Sequence, residues 1–182
     1  EQDFDITRGV GLWFARQAKD RNPHLLLDAI RWGTPRWITN NEQKYLYYKN
    51  FLDGARVHFG LDFNYLAPDE NEGSYSPRWV TEVLRPRLDA DGYRGLKLTG
   101  ADSNTDWNIA PVVKGDRRLR GALYAISAHY HEDTPDSARN CGLPIFNSED
   151  LAPYRHHFSC ALDMAHKIIQ SYASGRMVQY QM

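Results

Sequence analysis

Two glutamates, each just past a short apolar run, carry the first chemical signal in this chain. Glu72 follows the run Leu61 to Leu66, within Glu70-Asn71-Glu72-Gly73-Ser74-Tyr75, and Glu149 follows Leu143 to Phe146. An acid placed beyond the C-terminal end of a buried strand lies where a βα barrel exposes its reacting groups. Two such acids are the minimum equipment for glycoside hydrolysis, one protonating the leaving oxygen and the other acting as nucleophile or base. A single loop glutamate is more often merely solvated. Two at strand ends, the first of them beside Asn71, outweigh that reading.

The elements that would hold these acids alternate between helix and strand. Gly11 to Arg21 reads as an amphipathic helix, with Leu12, Ala15 and Ala18 on one face, Lys19 and Arg21 solvated, and Asn22-Pro23 as a stop. Leu25 to Ile30 is a short apolar run typical of a strand buried on both faces. A helix over Gln43 to Phe59 then leads to the strand Leu61 to Leu66. Ser76-Pro77 opens the next helix with a hydroxyl cap and a proline at the first position, turning Trp79, Val80, Val83 and Leu84 inward. Asp91-Gly92 turns the chain into the strand Gly95 to Thr99, and a helix starting within Trp107 to Val113 precedes the strand Gly121 to Ala128. Leu143 to Phe146 is a further strand. A helix from Phe158 to Ala173, with Cys160, Ala161, Met164, Ile168 and Ile169 inward, leads to Met177 to Met182, the start of a sixth.

Strands joined through helices imply right-handed parallel crossovers, which build either an open doubly wound sheet or a barrel. No glycine-rich phosphate loop is present, so the barrel is favoured. A closed barrel needs eight strands and roughly 200 residues or more. The expected fold class is therefore α/β, a (β/α)8 TIM barrel of which this chain supplies about six strands. With Leu25 to Ile30 as barrel strand three, Glu72 follows strand four and Glu149 follows strand seven, facing each other across the barrel mouth. His129 and Tyr130 end strand six on the same rim, either lining the pocket or packed behind it.

Composition narrows the ligand. The 182 residues are 42% hydrophobic and 25% charged with a formal charge of −1, so a globular domain is expected, and neither nucleic acid nor an anionic membrane surface is an expected partner. Five Trp and 11 Tyr suit stacking on sugar faces as well as core packing. Cys141 and Cys160 suit a disulfide or two free thiols equally well. No run of 18 apolar residues and no charged-then-apolar leader occurs, so no membrane span is expected. The histidines lack the H-x-x-x-H helical spacing of a zinc site. Asp102, after strand five, suits an Asx turn or helix cap better than a reacting role. The run Lys114 to Arg120 reads as a solvated helix face or turn.

An ordered set of residues carries a resemblance: Arg8-Gly9 with Trp13, Ala18 to Pro23, Trp32-Gly-Thr-Pro-Arg-Trp37, Asn71 to Tyr75, Ala128-His129-Tyr130 and Ser148-Glu149-Asp150. From about Arg8 to the last residue the chain resembles glycoside hydrolase family 59, the galactocerebrosidase family. The resemblance implies a retaining β-galactosidase acting on a glycolipid or glycan, without metal or organic cofactor, in a secreted or lysosomal-type compartment. It further implies Glu72 as acid/base, Glu149 as nucleophile, Asn71 as partner of the sugar 2-hydroxyl and Trp32 as an aromatic wall. Against the family pattern, Ala67-Pro68-Asp69-Glu70 precedes the Asn-Glu pair with one extra residue, so Asp69 or Glu70 competes with Glu72. Residues 1–182 would then be a partial catalytic barrel, lacking strands one and two and any downstream β-sandwich or lectin-like domains. The missing barrel segments would come from the same polypeptide or a complementary chain. Two other functions stay open: a related barrel glycanase with another sugar preference, and a non-catalytic barrel fragment in a larger assembly.

Overall fold

A computed structural model describes residues 5–103, 106–151 and 156–181. Six parallel strands lie in sequential order: β1 (Asp28–Arg31), β2 (Tyr65–Glu70), β3 (Lys97–Ser103), β4 (Ala125–His129), β5 (Ile145–Glu149) and β6 (Gln179–Tyr180). Helices α1 (Gly11–Arg21), α2 (Asn41–Phe59), α3 (Arg85–Ala90), α4 (Ile109–Gly115), α5 (Arg117–Ala122), α6 (Asp136–Arg139) and α7 (Phe158–Ala173) separate them. The sheet curls as a barrel wall does, so that the amide of Gln181, just past β6, donates to Asp28 at the start of β1 over 3.1 Å. This is the expected (β/α) barrel architecture, with six strands present.

The local signals act as expected where a cap or stop is chemically distinctive. Asn40 accepts from the Gln43 N–H at the head of α2, and Gly60 closes that helix at φ +62°. Ser76 Oγ accepts from the Trp79 N–H, as read from Ser76-Pro77, but the helix it opens begins as a π-helical segment, Trp79–Leu84, before continuing as α3. Alternation along the strands then divides the core. Leu66, Leu98, Ile126 and Ile145 meet Tyr48, Leu52, Trp79, Leu84, Leu88 and Val113 of the helical layer, whereas Tyr65, Ala125 and Phe146 form a separate cluster. Each fully buried aliphatic side chain of this kind contributes about 1.5–3 kcal/mol.

Several expected boundaries are corrected. The six described strands each begin two to four residues further along the chain than their apolar runs suggested: Leu61 packs with Leu27 and Ala55 beneath α1 rather than in β2, and Gly121 and Ala122 belong to α5. The cause is that apolar residues mark where a strand is covered by helices, while its polar C-terminal residues continue the ladder into the mouth. The inward face assigned to α7 is also corrected. Ile168 and Ile169 are exposed, as are Phe158 and Leu162, and Ser171 is the buried residue of that helix. On α1, Trp13 and Phe14 are likewise exposed. These helices flank β6 and β1, whose outer edges pair with no other strand among the described residues, so their apolar faces meet no neighbouring βα layer. Cys141 and Cys160 are both free thiols. No helix among the described residues is long and apolar enough to cross a membrane.

Candidate active site

The strand ends are built to turn side chains into the mouth. β3 and β5 each carry one extra residue relative to β4: Ala101 pairs with Ser127 and Ser103 with Ala128, skipping Asp102, while Asn147 pairs with Ala128 and Glu149 with His129, skipping Ser148. Such bulges re-aim a side chain at the cost of ladder pairing. Glu72, Asp102 and Tyr130 adopt left-handed backbone at φ +53°, +59° and +58°. That conformation costs a non-glycine residue roughly 1–2 kcal/mol, and residues that accept it cluster at functional sites. Glu72 is the third residue of a turn closed by the Gly73 N–H on the Glu70 carbonyl, 2.9 Å away, and its own N–H donates to the Asp102 carbonyl over 3.2 Å. A Cβ at Gly73 would stand 3.0 Å from the Glu70 carbonyl oxygen, so a larger residue there would press on the turn.

These turns bring three donor groups together. One oxygen of Glu72, one of Glu149 and Nδ1 of His129 all lie within 4.8 Å of one another. The Tyr130 hydroxyl donates to Glu149 Oε1 over 2.5 Å and lies 3.3 Å from Glu72 Oε1. That hydrogen bond, then burial and the two carboxylate charges, pushes the Tyr130 phenol above its usual range, so it stays a proton donor. His129 is fully buried, with Nδ1 3.3 Å from Glu72 Oε1 and 3.9 Å from Glu149 Oε2. Its Nε2 lies 3.1 Å from Asp102 Oδ1, at ion-pair distance but off the line of a well-directed hydrogen bond. Burial opposes an imidazolium here, yet contact with Asp102, then Glu72 and Glu149, outweighs it and raises the imidazole above its ordinary pKa. A divalent ion would need that nitrogen deprotonated. In their protonated forms His129 and Tyr130 bridge the two carboxylates as proton donors.

A cavity of about 460 Å³ opens alongside, lined by Asp28, Trp32, Asn71, Asp102 and Glu149 among others. Trp32 stands largely exposed on its wall. Asn71 donates its N–H to the Arg31 carbonyl over 2.9 Å, and its buried side-chain oxygen has no protein partner. Of the six residues expected at the site, Trp32, Asn71 and Glu149 line the cavity. Glu72, His129 and Tyr130 do not, but His129 and Tyr130 join it through their contacts with Glu149, and Glu72 through its contacts with those two.

Two functional candidates escaped the sequence reading. Asp102 was expected in an Asx turn or cap, whereas its carboxylate contacts His129 and accepts from the Ser148 hydroxyl. Asp28 is a half-buried acid at the cavity, pushed up by burial with its contact to Gln181 only partly compensating. The available signal was an aspartate inside the otherwise apolar run Leu25 to Ile30.

Asp69 and Glu70, the expected competitors of Glu72, are engaged elsewhere. Glu70 accepts from the Thr34 hydroxyl and lies 3.6 Å from Arg31. Asp69 is buried, its carboxylate 3.2 Å from Lys44 Nζ and 3.3 Å from the Ser76 N–H, which ties down both sides of the turn holding Asn71 and Glu72. Burial moves both partners of that pair toward neutrality, raising Asp69 and lowering Lys44. Removing one partner of such a buried pair typically costs about 3–5 kcal/mol, because the other charge is left uncompensated. Lys44→Met should accordingly lower the calorimetric Tm by several degrees, and Lys44→Met with Asp69→Leu should recover much of the loss. An unchanged Tm in the single variant would show that the pair does not brace the turn.

Comparison with known proteins shows the family and the fold. The profile of Glycosyl hydrolase family 59 matches residues 1–182. Galactocerebrosidase of Danio rerio is 29% identical over 186 residues, covering 97% of this chain and 27% of its own length. The Homo sapiens galactocerebrosidase is 26% identical over 159 residues, 82% of this chain and 23% of its own. The chain thus spans about a quarter of the curated relatives it matches. Among solved structures, SrfJ from Salmonella typhimurium superposes with a TM-score of 0.78 at 18% identity, over 93% of this chain and 46% of its own. The family 30 subfamily 8 xylanase Xyn30A from Clostridium acetobutylicum gives 0.72 at 15% identity, over 93% and 50%. At such identities these two likenesses speak to the fold.

Proposed function

Because the chain belongs to glycosyl hydrolase family 59, we propose that it forms part of a glycosidase releasing terminal β-galactosyl groups from a glycolipid or glycan with retention. Glu149 is the nucleophile and Glu72 the acid/base. The observation that carries the reading is the separation of these two carboxylates, whose nearest oxygens lie within 4.8 Å. Retaining enzymes hold their carboxyl groups about 5 Å apart, whereas inverting enzymes leave roughly 6.5–9.5 Å for an intervening water.

In the first step Glu149 attacks the anomeric carbon while Glu72 gives its proton to the departing aglycone oxygen. In the second, Glu72 takes a proton from water, and the resulting hydroxide oxygen displaces Glu149. The Tyr130 hydroxyl donates to the nucleophile's carboxylate and fixes its orientation. Asn71 offers the acceptor for a sugar hydroxyl, and Trp32 an apolar wall for a ring face. Galactose as the sugar rests on the name shared by the curated relatives. The remaining two βα units, supplied by the same polypeptide or a complementary chain, would cover the open edges of β1 and β6 and the apolar faces of α1 and α7.

A 2-fluoro galactoside with a good leaving group tests this in the polypeptide that contains these residues. The expected result is a stable adduct on the peptide carrying Glu149, found by mass spectrometry. An adduct on another residue would overturn the assignment. Turnover of aryl glucosides or xylosides but not galactosides would leave the mechanism and remove the sugar.

A further inference from the structure

Asp102 is the point where four strand ends are joined. Its carbonyl accepts from Glu72, its N–H donates to Ser127 Oγ over 3.0 Å, and its carboxylate meets both His129 and the Ser148 hydroxyl. Both Asp102 and Ser148 are the extra residues of their bulges, one on each side of β4, so their contact passes across the strand that carries His129. Three carboxylates, from beyond β2, from β3 and from β5, therefore surround a single buried imidazole, with Tyr130 edge-on at 5.4 Å from its own strand end. With Glu72 holding the proton it gives up, two carboxylates still stand beside one buried ring, and a charge on that ring compensates them.

Resting on the mechanism proposed above, we propose that Asp102 is a positioning residue that keeps His129 a cation, and that this braced pair controls when Glu72 gives up its proton. His129 stands between Asp102 and the two glutamates, so the pair is a dipole with its positive end 3.3 Å from Glu72 and 3.9 Å from Glu149. A cation at that range favours the ionised form of a carboxylate. It keeps Glu72 from holding its proton too tightly to release it. The cation is present at low pH and is lost as pH rises through the raised pKa of His129.

The experiment compares the parent polypeptide with Asp102→Asn, by two readouts. In imidazole NMR titration, His129 should titrate at least about one pH unit lower in Asp102→Asn, since an opposite charge at this distance is typically responsible for one to three. In the pH profile of kcat/KM, the basic limb, which reports deprotonation of Glu72, should move to higher pH by roughly half a unit or more, because the neutral ring no longer favours the carboxylate. Should Asp102→Asn fail to fold, Ser148→Ala removes the hydroxyl that fixes the Asp102 carboxylate and should produce smaller shifts of the same sign. An unshifted His129 titration, or a basic limb that stays in place while the rate merely falls, overturns the proposal. If no glycoside is turned over, the functional reading fails, while the imidazole titration still decides whether Asp102 holds the cation.

Discussion

Replacing Glu149 by glutamine is expected to lower kcat on aryl β-galactosides by at least about four orders of magnitude, while the folded state and its Tm change little. Loss of a covalent nucleophile from a group of residues acting as one unit can cost about 10⁶ in kcat. The side chain is half-buried at the cavity and of the same shape as its amide, and its contact with the Tyr130 hydroxyl survives the change. Steady-state kinetics with a sensitive aryl leaving group measure it. A variant retaining a tenth of the parent rate would mean that the sugar is not transferred to Glu149.

The second large effect depends on the leaving group. Glu72→Gln removes the proton that the departing oxygen needs, and general acid catalysis is worth about 10² to 10⁴. Substrates with poor leaving groups should lose that whole factor in kcat/KM. Dinitrophenyl galactosides, which depart unaided, should lose far less in the first step, and the slow second step should then let the glycosyl-enzyme accumulate as a burst. Equal losses across the series would remove the acid role from Glu72 and return attention to Asp28, a half-buried acid on the cavity wall whose carboxyl burial pushes up.

Much of this arrangement was legible from residue types. The α1 and α7 limits follow from apolar periodicity with Asn22-Pro23 and Gly175 as stops, and the structure keeps both helices where the pattern put them. Glu72, Glu149, His129 and Tyr130 were recognisable because each follows or closes an apolar run, and the barrel topology brings such positions to one rim. Asp102 was not, for a physical reason. A strand's alternation predicts which face a side chain takes only while the register is unbroken, and the bulge at Asp102 breaks it. Nothing in Gly100-Ala101-Asp102-Ser103 distinguishes a bulged, left-handed aspartate from a cap. The exposure of Ile168 and Ile169 on α7 escaped for a related reason. Periodicity shows that a helix has an apolar face, and only the neighbouring layer decides whether that face is covered.

The positive φ shared by Glu72, Asp102 and Tyr130 limits how this protein can be improved by engineering. Glycine would relax each of these positions, so searches for heat tolerance that reward a comfortable main chain will be drawn to them, and under the proposed mechanism each gain there would discard a group that handles protons or braces one that does. Gains in melting temperature that leave turnover intact should instead be sought on the solvated faces of α2 and α7, away from Lys44 and Lys167, whose partners Asp69 and Asp150 lie at the site.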